Sequence, residues 1–148
     1  MFPSFGGEPR VLRSHCDSAS VSPDGSVGAC IDAHGHEIWL VGSNGENPRK
    51  LPLDSKDRFA ALTWSPGGTR LAFMKQAESG LGGGIETISP NGGTPTAIAA
   101  DPRMVVYDIP TIVWVPDGRL IFSLSDEPSA NLWGSWSTKK PEPAPGNP

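Results

Sequence analysis

The 148-residue sequence has no long apolar run, no cluster of basic residues and few cysteines. A membrane-spanning helix needs about 20 consecutive apolar residues, and no segment approaches that length, so we expect no direct membrane insertion. The 12 lysines and arginines are scattered and are outnumbered by 16 acidic residues, which argues against a nucleic-acid partner. The first residues contain neither a basic nor an apolar region, so no signal peptide is predicted in this chain.

The two cysteines, Cys16 and Cys30, have neither the C-x-x-C spacing nor the grouping of a metal site. Cysteine is among the most frequently buried residue types, so two free or buried thiols are expected. A disulfide between them is the alternative. The sequence leaves their redox state open, and with it the cellular compartment.

Glycine and proline are abundant instead, with 18 and 16 residues. They recur in three related turn motifs, whose prolines are 43 and 50 residues apart: Ser22-Pro23-Asp24-Gly25, Ser65-Pro66-Gly67-Gly68 and Val115-Pro116-Asp117-Gly118. Proline sets the backbone angle of the second turn position, and glycine completes the reversal at low steric cost. Each motif is followed by an apolar segment. The sequence therefore predicts three β-turns, each leading into a strand.

A second pattern repeats in the same order along the chain. Each repeat has a four-residue segment that begins with isoleucine and ends with an aliphatic residue, then an Asn-Gly pair and a single aliphatic residue. These are residues 38–41, Asn44-Gly45 and Leu51 in one repeat, and residues 85–88, Asn91-Gly92 and Ile98 in the next. Asn-Gly between apolar segments is a strong hairpin signal. The amino terminus carries the end of the same pattern, because residues 6–12 align with residues 92–98. The chain is therefore predicted to begin inside a repeat.

A period of about 43 residues with four short strands is typical of a β-propeller blade. Residues 38–41 and 71–74 are apolar at successive positions, as expected for strands covered on both faces. We predict an all-β fold of four-stranded antiparallel blades, about three plus a partial leading one, forming an incomplete propeller. The predicted units are 1–16 (the end of a blade), 17–59 and 60–109 (blades), 110–137 (an incomplete blade) and 138–148 (a proline-rich disordered tail or linker).

Residues 21–25 with 38–41, and residues 64–73, are similar to the WD40-like PD40 repeats of TolB-type β-propellers. The resemblance extends from residue 1 to about 137. Gly67 replaces the usual Asp, Val115 replaces Ser, and a glycine-rich insertion occupies residues 79–84. The third unit also resembles the sensor propellers of bacterial receptor-type serine/threonine kinases. These resemblances imply a sensor or interaction module and favour a periplasmic or extracytoplasmic location.

One segment has the residue types of a metal site, namely Asp32, His34 and His36. Two histidines at i and i+2 share a face of an extended chain, and imidazole with carboxylate suits zinc. The equivalent loop of the next repeat, at residues 76–80, has none of these ligands. A polar loop is therefore the expectation, and whether the histidines bind metal is left to a zinc titration.

No catalytic, cofactor-binding or metal residue is assigned from the sequence. Asp24 and Asp117 are predicted to be turn residues of separate blades, and His15 with Cys16 an ordinary loop. Residues 82–84 lack the Lys-Ser/Thr that follows the glycines of a phosphate loop. Tryptophans at matching repeat positions are predicted to lie in the core and Trp136 to be exposed; the core set is Trp39, Trp64, Trp114 and Trp133.

We therefore expect a non-catalytic binding module whose loops contact a protein or a small ligand. The alternative is the propeller portion of a prolyl-oligopeptidase-type hydrolase, with its catalytic domain outside this chain. Propellers usually close with about 4–8 blades, and an open array exposes blade faces and sheet edges. The isolated chain is therefore expected to form a homo-oligomer, to belong to a larger propeller, or to be poorly behaved.

Overall fold

The computed structural model describes residues 8–54, 56–80, 82–102, 104, 111–126 and 129–136, with residues 125, 126, 129, 130 and 136 described by their backbone alone. These residues form eleven strands and no helix. The described part of the chain accordingly contains no helix that could span a lipid bilayer. The predicted tail at 138–148 lies outside the described residues.

The strands form three antiparallel sheets in chain order. The first sheet contains β1 (Cys16–Val21), β2 (Val27–Asp32), β3 (Ile38–Gly42) and β4 (Arg49–Lys50). The second contains β5 (Arg58–Trp64), β6 (Leu71–Gln76), β7 (Gly83–Ser89) and β8 (Gly92–Asp101). The third contains, within the described residues, β9 (Ile112–Trp114), β10 (Arg119–Asp126) and β11 (Ser129–Trp136). Sequential strands pair in every sheet, so the predicted all-β fold of blade-like sheets is confirmed.

The three turn motifs join the first two strands of each sheet. In each turn the glycine N–H donates to the carbonyl of the first residue, Ser22, Ser65 or Val115. The Ser65 hydroxyl also accepts the N–H groups of Thr69 and Arg70 at 3.1 and 3.0 Å. The third turn is one residue shorter, because the Val115 N–H bonds to Arg119. A serine is therefore not needed where Val115 replaces it.

Two hydrophobic cores separate the three sheets. The first core lies between the first and second sheets and includes an edge-to-face pair, Phe59 and Phe73, with ring centroids 5.5 Å apart. The second core lies between the second and third sheets. Strand β6 supplies both, with Leu71 and Phe73 in the first core and Ala72 and Met74 in the second. Its consecutive apolar residues therefore face covered surfaces on both sides, as predicted.

Residues 8–15 precede β1 and form no strand. They lie against the first sheet: the Arg13 guanidinium is 3.8 Å from the ring centroid of Trp39, and Arg10 donates to the side chain of Asn44. Such a cation–π contact contributes about 0.5–1 kcal/mol at an exposed site. The segment is therefore held at the outer side of the first sheet.

The expectation of two free thiols is wrong, because Cys16 and Cys30 form a disulfide with a Cα–Cα distance of 5.6 Å. The register between β1 and β2 shifts between Cys16 and Ser18. This bulge lets Cys16 reach Cys30, which pairs with Ala19 on the neighbouring strand. Nothing in the spacing of the cysteines indicates such a shift.

The tryptophan predictions are confirmed in part. Trp64 is buried in the first core and Trp114 packs against the second, whereas Trp39 is half-buried under Arg13. Trp133 is 42% exposed, so its placement in the core is wrong. It lies on β11, which is the outermost strand of the third sheet among the described residues, where fewer neighbours cover a side chain. The side chain of Trp136 lies outside the described residues.

Candidate functional site

A cleft with a volume of about 690 Å³ lies at one end of β6, β7 and β8. Its lining combines small side chains with a few charged ones: Gly82, Gly83, Gly84, Ala97, Ala99 and Ala100 with Lys75, Glu86 and Asp101. We call it the small-residue groove. A cleft of this size falls in the range of small-molecule and peptide sites.

Backbone rather than side chains forms the floor of the small-residue groove. Gly84 pairs with Lys75 on one side and with Ala100 on the other. A Cβ atom at Gly84 would lie 2.6 Å from the carbonyl oxygen of Ala99, so only glycine fits there. The lack of a side chain at Gly84 therefore lets the Ala99 carbonyl of β8 approach the backbone of β7 closely.

Lys75 is the basic residue in the lining of the small-residue groove. Its Nζ lies 3.5 Å from Glu86 Oε1 and 3.5 Å from Asp57 Oδ2. Burial alone would lower the pKa of Lys75, but the carboxylates of Glu86 and Asp57 outweigh it and raise this pKa. Lys75 is therefore protonated at neutral pH and held between two carboxylates. Asp57 precedes β5, so this contact also ties the connection between the first two sheets to the groove.

A second cleft, of about 500 Å³, lies among the turns of the first and second sheets. Three prolines line it, Pro23, Pro66 and Pro90, and Arg49 donates to the carbonyl oxygen of Pro90 across it. We call it the turn cleft. Its polar groups are mostly engaged in turn hydrogen bonds, which leaves few of them to recognise a ligand.

The Asp24 carboxylate, at the turn cleft, accepts its hydrogen bonds from within its own turn. The hydroxyl and the backbone N–H of Ser26, together with the hydroxyl of Ser22, donate to Asp24 and lower its pKa to about 2. Asp117 likewise accepts the Arg119 N–H at 3.0 Å, which lowers the pKa of Asp117. The two carboxylates belong to the turns of different sheets, and each stabilises its own turn.

The predicted metal-like segment forms the loop between β2 and β3. Burial raises the pKa of Asp32, but the backbone N–H groups of Glu37, His34 and His36 outweigh burial and lower this pKa. His36 Nδ1 lies 2.7 Å from the carbonyl oxygen of Asp57. Asp32 and His36 therefore hold the loop together and join it to the second sheet. Among the described residues, no three or more His, Cys, Asp or Glu side chains form a group suited to a metal ion.

The sequence had drawn attention to neither Lys75 nor its two carboxylate neighbours. Asp57, Lys75 and Glu86 come from a loop and two strands, and only the pairing of β6 with β7 brings two of them together. The one available signal was the glycine-rich insertion. Two of its glycines, Gly83 and Gly84, start β7 and form part of the groove floor.

No protein-family model and no curated protein sequence matches the chain. Solved structures of similar fold do match. A chain from a nidogen–laminin complex is 18% identical, with a TM-score of 0.64 over 87% of this chain. A dipeptidyl aminopeptidase IV-like protein from Bacteroides ovatus is 12% identical, with a TM-score of 0.62 over 81% of this chain. An acylaminoacyl peptidase from Pyrococcus horikoshii is 14% identical, with a TM-score of 0.54 over 80%.

The matching regions cover 49% of the nidogen-complex chain, 22% of the Bacteroides protein and 23% of the Pyrococcus peptidase. This chain therefore corresponds to a half or less of each. At these identities the comparisons show the fold alone, which is that of a β-propeller.

Proposed function

We propose that this chain is a non-catalytic propeller module of the PD40 type, which binds a protein or a small ligand. The observation that carries the proposal is the small-residue groove, whose lining combines the small residues Ala97 and Ala100 with the charged residues Lys75 and Glu86. Binding sites typically combine a mostly apolar surface with a few placed polar groups. Lys75 and Glu86 are such groups, and their ion pair keeps both in position.

The Cys16–Cys30 disulfide supports an extracytoplasmic location for this module. Structural disulfides persist mainly in oxidising compartments such as the bacterial periplasm and cell surface. The resemblance to sensor propellers of receptor-type kinases implies the same location. A role as the sensor part of a larger bacterial protein is consistent with both.

The second candidate is the propeller portion of a prolyl-oligopeptidase-type hydrolase. It is favoured by the two peptidases among the structures of similar fold, of which this chain matches less than a quarter. In that case catalysis would need a domain outside these 148 residues. Coding sequence for a G-x-S-x-G domain next to this segment would support the hydrolase, whereas a membrane span with kinase motifs would support the sensor module.

A binding experiment tests the module directly. Amide chemical shifts are recorded while acidic, basic and neutral tripeptides are titrated into the protein. We expect shifts at Lys75, Gly84 and Ala100 with at least one peptide class, and their loss in Ala100→Trp, which fills the groove. Thr94→Trp places the same side chain at an exposed site of β8 outside the groove lining and should keep them. Shifts that avoid the groove, or cleavage of the peptides by this chain, would contradict the proposal.

A further inference from the structure

The small-residue groove continues the face of the second sheet that packs against the first core. Side chains alternate between the two faces along a strand, so Lys75 on β6 lies on the same face as Phe73 of the first core. Glu86 pairs with Phe73 on one side and with Ala97 on the other, which places it on that face too. Ala97 and Ala100 are exposed. The described residues therefore leave this end of the face open, with charged groups beside alanine methyl groups.

The charges in the groove do not balance. Among the described residues of its lining, Lys75 is the only basic side chain, whereas Glu86 and Asp101 are acidic. Lys75 is shared between Glu86 and Asp57, and each carboxylate lies 3.5 Å from the ammonium nitrogen. The side chains of Glu86 and Asp57 are 19% and 17% exposed, so water screens their charges incompletely. One ammonium group therefore faces two carboxylates, and negative charge is left over.

The pKa of Lys75 indicates the sign of the electrostatic potential at this point. Burial alone would lower this pKa, but the carboxylates of Glu86 and Asp57 raise it above its ordinary value. A positive charge is therefore stabilised here even though it is partly removed from water. A cation from outside the chain would be attracted by the carboxylate charge that one lysine does not neutralise.

We propose that the small-residue groove binds a peptide through a basic side chain, an inference that rests on the proposed binding function. The cationic head of a lysine or arginine lies against Glu86, and its aliphatic stem covers the methyl groups of Ala97 and Ala100. Arginine is the better match of the two, because its planar guanidinium donates two parallel N–H groups to one carboxylate.

An acidic ligand fits the groove less well. Its carboxylate would find a single ammonium that two carboxylates already share, and it would approach Glu86 and Asp101 with like charge. Like charges placed side by side across an interface weaken a complex. A neutral ligand would contact the alanine surface without any ionic partner. The affinity should therefore fall from basic to neutral to acidic peptides.

The first test compares three tripeptides that differ in one side chain, namely Gly-Arg-Gly, Gly-Gln-Gly and Gly-Glu-Gly, each acetylated and amidated to remove its terminal charges. Titration is followed by the amide shifts of Lys75, Gly84 and Ala100. We expect the arginine peptide to bind most tightly and added salt to weaken it. Equal or tighter binding of either other peptide in the groove would overturn the charge selectivity and leave the binding function standing. Groove shifts with none of the three would overturn both.

The second test removes each partner of one ion pair in turn. Glu86→Gln should weaken the arginine peptide about three- to fivefold, as expected for one partly exposed ion pair. Lys75→Met should strengthen it by a similar factor, because both carboxylates are then left to the ligand. Glu8→Gln removes the same charge at an exposed residue outside the lining and should change nothing. An ion pair that only maintains the shape of the groove would give weaker binding in both variants, and that result would overturn the proposal.

Discussion

The second sheet and the third sheet have related sequences and different surroundings. The second is packed on both faces and has four strands, whereas the third is packed on one face and has three within the described residues. Phe73 in the middle of the second sheet is fully buried, while Leu132 at the edge of the third is 76% exposed. The burial of a blade's side chains therefore depends on whether neighbouring sheets cover its faces.

The burial of a single repeat position also depends on the neighbouring sheet. Leu51 is 1% exposed because the second sheet covers it, and Leu12 at the equivalent position has no such cover. Burying a leucine contributes about 1.5–3 kcal/mol relative to leaving it exposed. In a repeat architecture this contribution belongs to the interface between units rather than to the unit alone.

The largest expected effect contrasts the two sheets directly. Phe73→Ala removes an aromatic side chain from the first core and its contact with Phe59, so unfolding should become about 3–5 kcal/mol easier. Leu132→Ala should change the free energy of unfolding of the monomer by less than about 0.5 kcal/mol. Urea unfolding at low protein concentration measures both. Equal costs at the two sites would show that the third sheet is covered as well as the second.

The disulfide should have the next largest effect, and it lies in the first sheet. Replacing both Cys16 and Cys30 by alanine removes a cross-link between residues 14 apart in sequence, which should cost about 3 kcal/mol. Reductant should destabilise the native protein similarly and leave the double variant unchanged. Two titratable thiols in the unreduced, denatured protein would contradict this bond.

A smaller effect is expected at the turns, where the first two sheets differ from the third. Ser65→Ala leaves the N–H groups of Thr69 and Arg70 without their hydroxyl acceptor, at a cost of about 1–2 kcal/mol. Val115→Ser should add no comparable stability, because the shorter third turn lacks the extra N–H group. Thermal unfolding of both variants checks the contrast. A stabilisation by Val115→Ser as large as the Ser65 loss would refute it.

The smallest effect concerns acid stability and the loop of the first sheet. The folded-state pKa of Asp32 is lowered, so its ionised form favours folding. This contribution is present above the ordinary value of 3.8 and is lost as the pH falls through the lower folded value. In Asp32→Asn, the free energy of unfolding should therefore fall less steeply as the pH drops below about 4. Its dependence on pH near pH 7 should be unchanged. An unaltered fall at low pH would contradict the role given to the three N–H donors.

Local chemistry explains what could be predicted from the sequence. The turns at Pro23, Pro66 and Pro116 depend on residues adjacent in the chain. The positions of the strands that flank these turns could therefore be predicted. The disulfide depends on a bulge after Cys16, and the placement of Lys75 depends on carboxylates from two other segments. Those features arise from strand register and packing, which the sequence pattern does not encode locally.

The exposure of Trp133 was missed for a related reason. Its repeat position matches that of Trp39, but burial depends on which strands lie next to it, and β11 pairs with β10 at the edge of the third sheet as far as the structure describes it. A repeat alignment predicts the fold of each unit and assumes that every unit has neighbours. Among the described residues, the first and third sheets each pack against another sheet on one face only.

Hydrogen exchange of the backbone amides in β7 and β11 tests this account most directly. Strand β7 is paired on both sides within the chain, so its amides should be protected at every protein concentration. Amides of β11 belong to the sheet that is packed on one face only among the described residues, so they should exchange faster than those of β7. Equal protection of the two strands would contradict the dependence of burial on neighbouring sheets.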